Sequence, residues 1–293
     1  MHKFLRSVGF SGIKNRKELT GLITSSIQNA QKRAYVTNSE NVILAEFARD
    51  YADGIGICVC GEFDDEDKFI YEYYYPYLIP GAISTTEELS VDRHAATYSY
   101  AGVCNEPRLG VTLIFYLQNM VSYVKHENEN SLSLRGTTLS LSALSIKGQI
   151  MMPIAKTEEE KEAAKKKLNY RNKLINNARR GDETAIESLT LEDMDLYTTL
   201  SKKIRKQDIY SLVDTYFMPY GVECDQYSVL GEILSARKIV NHFTNESVYI
   251  LRIECNEIEF DVCINELDLL GEPAVGRRFK GNIWMQGVIG YPE

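Results

Sequence analysis

Short connections between strand-type segments limit this chain to a narrow set of folds. Ile43, Ala45 and Phe47 alternate with Glu46 on the opposite face, and residues 54–61 are apolar or small on both faces, as in a central buried strand. Further strands are expected at 69–79, 94–104, 109–118 and 138–152. One helix precedes them over 13–33, where Leu19, Leu22, Ile23 and Ile27 recur at helical spacing. A parallel crossover needs about a dozen residues, and these links are shorter, so antiparallel pairing in an α+β domain is expected. The acidic run Asp64–Lys68 reads as a solvated hairpin tip.

The pattern then changes twice. Over 157–216 it is helical. Thr157 with Glu160 forms a capping box, Arg179 and Arg180 fill the last turn, and Gly181 suits the position past the end. Thr190 with Asp193 is expected to open a second helix, and Asp208 a short third. Over 227–290 strands return. Val248–Cys255 and Ile258–Ile264 flank Asn256-Glu257 as a tight hairpin, and a last strand runs from Phe279 to Ile289 with glycines at 281 and 287. The reading is an α+β chain: an antiparallel-sheet N-terminal domain over 1–155, a helical connector over 156–218, and a small SH3-like or OB-like β-barrel over 219–293.

Charge argues against nucleic acid. The chain has 33 basic and 41 acidic side chains, net −8, and residues 219–293 hold 6 basic against 12 acidic. Tracking a phosphate backbone needs clustered Lys and Arg. Six scattered cysteines in 293 residues do not make a disulfide framework. Five of them sit in strand-like runs and read as reduced, buried thiols, while Cys224 follows a turn. The opening MHKFLRSVGF lacks the apolar stretch of a signal peptide, and no apolar run is long enough for a membrane helix. A cytoplasmic setting is expected.

Two phrases, Phe217–Ile233 (FMPYGVECDQYSVLGEI) and Asp268–Gly287 (DLLGEPAVGRRFKGNIWMQG), resemble an uncharacterised bacterial family that carries only a domain-of-unknown-function label. The opening MHKFLRSVGF and Gly181–Asp195 are similar too, so the resemblance spans the whole chain. It implies a bacterial, cytoplasmic protein. It brings no known activity and no catalytic residue.

Phe69, Tyr71, Tyr73, Tyr75, Tyr77 and Ile79 occupy alternate positions, so an extended strand there would tile one face with aromatics. Such a face suits a protein partner or a second copy of the chain, or else it packs as core. Pro76 places the strand at an edge. Arg277, Arg278 and Lys280, interleaved with Phe279 and Trp284, form a basic–aromatic cluster of the kind that can hold single strands, although its acidic surroundings oppose this. His94 with Glu106 is the one candidate acid–base pair, with no nucleophile motif or phosphate loop beside it. Cys58-x-Cys60 lacks the second ligand pair of a zinc site, so no metal is expected, nor any cofactor. The reading leans to a non-enzymatic binding or scaffold protein that uses Tyr71, Tyr73, Tyr75 and Tyr77, with Arg277, Arg278 and Trp284 as further binding candidates. The alternative is an enzyme with an interdomain cleft served by His94 and Glu106.

Overall fold

The computed structural model describes residues 1–94, 97–129, 136–154, 158–204 and 213–292. A 3-10 turn at Lys3–Val8 leads into α1 (Arg16–Gln28), which is capped by Asn15, whose side chain accepts from the Glu18 N–H. Four strands follow as an antiparallel sheet in chain order: β1 (Lys32–Thr37), β2 (Ile43–Ala52), β3 (Ile55–Phe63) and β4 (Phe69–Leu78). Next come β5 (Leu89–Arg93), β6 (Tyr100–Cys104), β7 (Leu113–Leu117), α2 (Met120–Asn128) and β8 (Thr138–Met151). The expected strand over 94–104 is therefore shorter and belongs to the hairpin β5–β6.

The helical segment is a hairpin of α3 (Glu158–Arg179) and α4 (Glu183–Ile204). Gly181 takes the left-handed turn at φ 87°, and the Asp182 N–H reaches back to the Asn177 carbonyl. Thr190 does not open a helix. Asp182 does, accepting from the N–H groups of Thr184 and Ala185, and Thr190 bonds the Ile186 carbonyl inside α4. The expected caps Thr157 and Asp208 lie outside the described residues.

The C-terminal strands are β9 (Tyr216–Pro219), β10 (Gln226–Val240), β11 (Ser247–Cys255), β12 (Ile258–Asn265), β13 (Leu269–Leu270) and β14 (Arg278–Gly290). Asn256 and Glu257 form the β11–β12 turn with positive φ at both residues, as a two-residue hairpin requires. Five of the strands close a barrel in the ring order β10-β11-β12-β8-β14, with β8 parallel to β12 and antiparallel to β14. The expected small barrel is present, but β8 comes from the segment assigned to the N-terminal domain. Pairing over Arg278–Gly290 with Thr138–Met151 therefore ties the last strand to the middle of the chain, across the helical segment.

The barrel and the four-stranded sheet share a core. Phe4, Leu5, Val8, Ile57, Tyr75, Leu144, Ile250, Cys263 and Trp284 belong to one buried cluster, which joins the N-terminal turn, sheet and barrel exterior. Polar side chains stitch the same seam. Gln286 Nε2 donates to the Pro76 carbonyl at 2.8 Å, Gln118 Nε2 donates to Gln286 Oε1 at 2.8 Å, and Ser142 Oγ donates to the Leu78 carbonyl at 2.6 Å. Pro76 does lie on an edge strand, as expected, but barrel side chains occupy that edge.

Candidate functional site: a groove on the outer face of the barrel

The tyrosine run does not form one outward face. Cys60 pairs with Tyr73 and Gly61 with Tyr71, so Glu72 is an extra residue in β4. That bulge resets the alternation and turns Tyr71 away from Tyr73. Tyr71 is exposed, whereas Tyr75 and Tyr77 are 3% and 5% exposed. Their hydroxyls are spent internally. Tyr73 donates to the Tyr98 carbonyl at 2.9 Å, Tyr75 to the Gln118 carbonyl at 2.9 Å, and Tyr77 to Asp50 Oδ1 at 2.5 Å. The Tyr75 ring lies 4.7 Å from that of Tyr116. Tyr75 and Tyr77 are thus core residues and Tyr73 packs partly buried against the same cluster, because the N-terminal turn and barrel strands β8 and β12 pack against β4.

His94 and Glu106 do not meet. His94 is exposed at one end of the β5–β6 hairpin, where its N–H donates to the Ser99 carbonyl. Glu106 lies beyond the other end of β6, and five strand residues span roughly 17 Å. Glu106 is fully buried, and Arg108 holds both of its oxygens at 2.7 Å. The structure therefore does not bring these two side chains together.

The basic–aromatic cluster is also divided. Arg278 is buried and donates to the carbonyls of Met152 and Val213. Trp284 is buried, its Nε1 donating to Asp225 Oδ2 at 2.6 Å and its ring stacked on Phe4 at 5.4 Å. Arg277 donates to the Glu272 carbonyl. Of the five residues, Lys280 lines the groove described next.

That groove has a volume of about 490 Å³ and is walled by Lys147, Gly148 and Gln149 of β8, Lys280, Gly281 and Asn282 of β14, Ser228 of β10, and Leu267–Leu270. Register explains the convergence. Ser228 pairs with Asn282 and Asn282 with Lys147, so the three make one cross-strand row. Lys280, Gln149 and Leu270 make the next row. Lys280 and Asn282 are two residues apart on β14 and share a face, so both rows point the same way. Between the rows Gly148 pairs with Gly281. A Cβ on either would fall 2.5 Å from the Phe279 ring inside the barrel, so both positions face inward and their being glycine makes room for Phe279.

Among the described residues one acid lines the groove, Asp268, and Arg6 holds it with two bonds at 2.6 and 2.5 Å. The fork geometry neutralises that carboxylate within the wall. Leu267 and Leu270 are 74% and 67% exposed beside it. Positive charge, hydrogen-bonding side chains and an apolar rim therefore meet in one concavity. Sequence reasoning named Lys280 but missed Lys147, Ser228 and Asn282, because their convergence depends on non-local strand pairing.

The family model for DUF3881, described as a domain of unknown function from an E. rectale gene, matches residues 5–287. The chain belongs to that family. The match runs through both the sheet and the barrel, in keeping with their shared core. No curated protein and no solved structure matches the chain. Among the described residues no helix is long and apolar enough to cross a membrane, and no group of three or more His, Cys, Asp or Glu is placed to hold a metal. Five cysteines are buried free thiols and Cys224 is exposed.

Proposed function

We propose that this protein is a non-enzymatic binding protein and that its ligand surface is the barrel groove, which takes an anion. The observation that carries this reading is the pair Lys147 and Lys280, brought from distant segments onto one face beside Ser228, Asn282 and Gln149. Ammonium groups next to amide and hydroxyl donors are what an anionic headgroup requires. The fate of the other candidates supports the same choice. The tyrosines are mostly core, and His94 and Glu106 are apart.

The test is titration with the anionic dye 8-anilinonaphthalene-1-sulfonate. The wild-type protein is expected to bind it saturably at a single site. In the double variant Lys147→Glu, Lys280→Glu, two attractions become repulsions. At ~5 Å and water-like screening each attraction is worth ~0.8 kcal/mol, so reversal of both costs about 3 kcal/mol before salt screening. Dye affinity should fall at least about tenfold, with the thermal midpoint unchanged within about 2 °C, as for surface substitutions. A folded double variant with wild-type affinity would overturn the reading.

A further inference from the structure

Resting on that reading, we propose that the ligand is a single-chain amphipathic anion, held as a monomer, with its charged head at Lys147 and Lys280 and its hydrocarbon chain against Leu267 and Leu270. The geometry sets both ends. In the row Lys280–Gln149–Leu270 the lysine and the leucine stand two strand spacings apart, ~10 Å. A small inorganic anion satisfies the lysine end and leaves the leucine end in water. An alkyl chain of moderate length reaches both.

The apolar end is more than scattered surface. Single exposed leucines are ordinary. Here two exposed leucines, Leu267 and Leu270, stand on one wall of the cavity that also holds the two lysines, while Leu269 between them packs on the barrel interior. The wall is fixed in place: Asn265 caps the turn at Glu266–Asp268 through the Leu267 N–H, and Arg6 anchors Asp268. β13 then pairs with β8 at Gly148 and Gln149. The apolar surface is therefore preorganised, which lowers the cost of binding. A fully buried methylene contributes ~0.8 kcal/mol, roughly fourfold in affinity. The groove is open on one side, so about half of that is expected per methylene.

The experiment is calorimetric titration of the full chain with inorganic phosphate, butyl phosphate and octyl phosphate, each below its micelle-forming concentration. Octyl phosphate is expected to bind at least about tenfold more tightly than butyl phosphate. Leu267→Ser, Leu270→Ser should erase most of that increment without changing butyl phosphate binding, and Lys147→Glu, Lys280→Glu should weaken all three. Equal affinities for the three probes would overturn this inference and leave the anion reading standing. Octyl phosphate binding that survives the lysine reversal at full strength would show apolar adsorption and overturn both. No binding of any probe to the wild-type protein would sink the anion reading itself. Circular dichroism of each variant keeps unfolding from passing as loss of binding.

Discussion

Replacing Glu46 by Gln should raise stability at pH 8.5 by about 2–4 kcal/mol while changing little at pH 5. Glu46 stands opposite Cys60 in the sheet, and its carboxyl accepts the N–H groups of Met120 and Val121 at the start of α2. It takes the capping role because the Asn119 side chain is bonded to the Ile289 backbone instead. Burial dominates and pushes the carboxyl from 4.5 up to about 8, against the pull of those two N–H donors. Below pH ~4.5 folded and unfolded chains both hold the proton, and there is no penalty. Between ~4.5 and ~8 the unfolded chain releases a proton that the folded chain keeps, so stability falls as pH rises; above ~8 the loss is complete. The full opposition is at most about 5 kcal/mol, and partial exposure of the residue reduces it.

His2 works the other way at lower pH. Burial lowers its imidazole from 6.5 to about 4, so it costs stability as pH falls through that range. That effect is common to both proteins and cancels when Glu46→Gln is compared with wild type by urea unfolding from pH 5 to 9. Parallel curves for the two proteins would refute the assignment.

Glu106→Gln should destabilise the fold by about 2–4 kcal/mol, because it breaks a mostly buried ion pair and leaves one charge without its partner. Burial works to raise the Glu106 carboxyl, but the hydrogen bonds from Arg108 and Thr85 and the Arg108 charge together outweigh it and hold the group below the usual carboxylate range. Stability from this pair is present above pH ~4.5 and is lost as pH falls through the depressed folded value. The guanidinium also donates to the Glu257 carbonyl at 2.9 Å, so the pair ties the turn after β6 to the β11–β12 turn. Chemical denaturation at pH 7 checks the magnitude, and a change under about 0.5 kcal/mol would show the pair to be structurally idle.

Local pattern revealed more of this fold than of its site. The buried strand over 54–61, the hairpin turning at Asn256-Glu257 and the long final strand each rest on neighbouring residues, and each is present. α2 was hidden because Met120, Val121 and Val124 follow the apolar run of β7 after only Gln118-Asn119, and nine residues are too few for helical periodicity to stand out. The tyrosine alternation misled because one extra residue, Glu72, reverses the faces in mid-strand. Barrel closure by β8 was illegible for a different reason. It pairs residues on either side of the α3–α4 hairpin, and alternation within each strand says nothing about which strands meet. The groove inherits that difficulty, since Lys147 and Lys280 become neighbours only through this pairing.

A functional surface at this groove, and not at the β4 tyrosines, has a direct consequence for ligand binding. Backbone amide shift mapping of the isotopically labelled protein with octyl phosphate addresses it directly. The largest shifts are expected at Gly148, Gly281, Asn282 and Leu270. Shifts concentrated at Tyr71 and its neighbours on β4, with the groove amides unmoved, would contradict it.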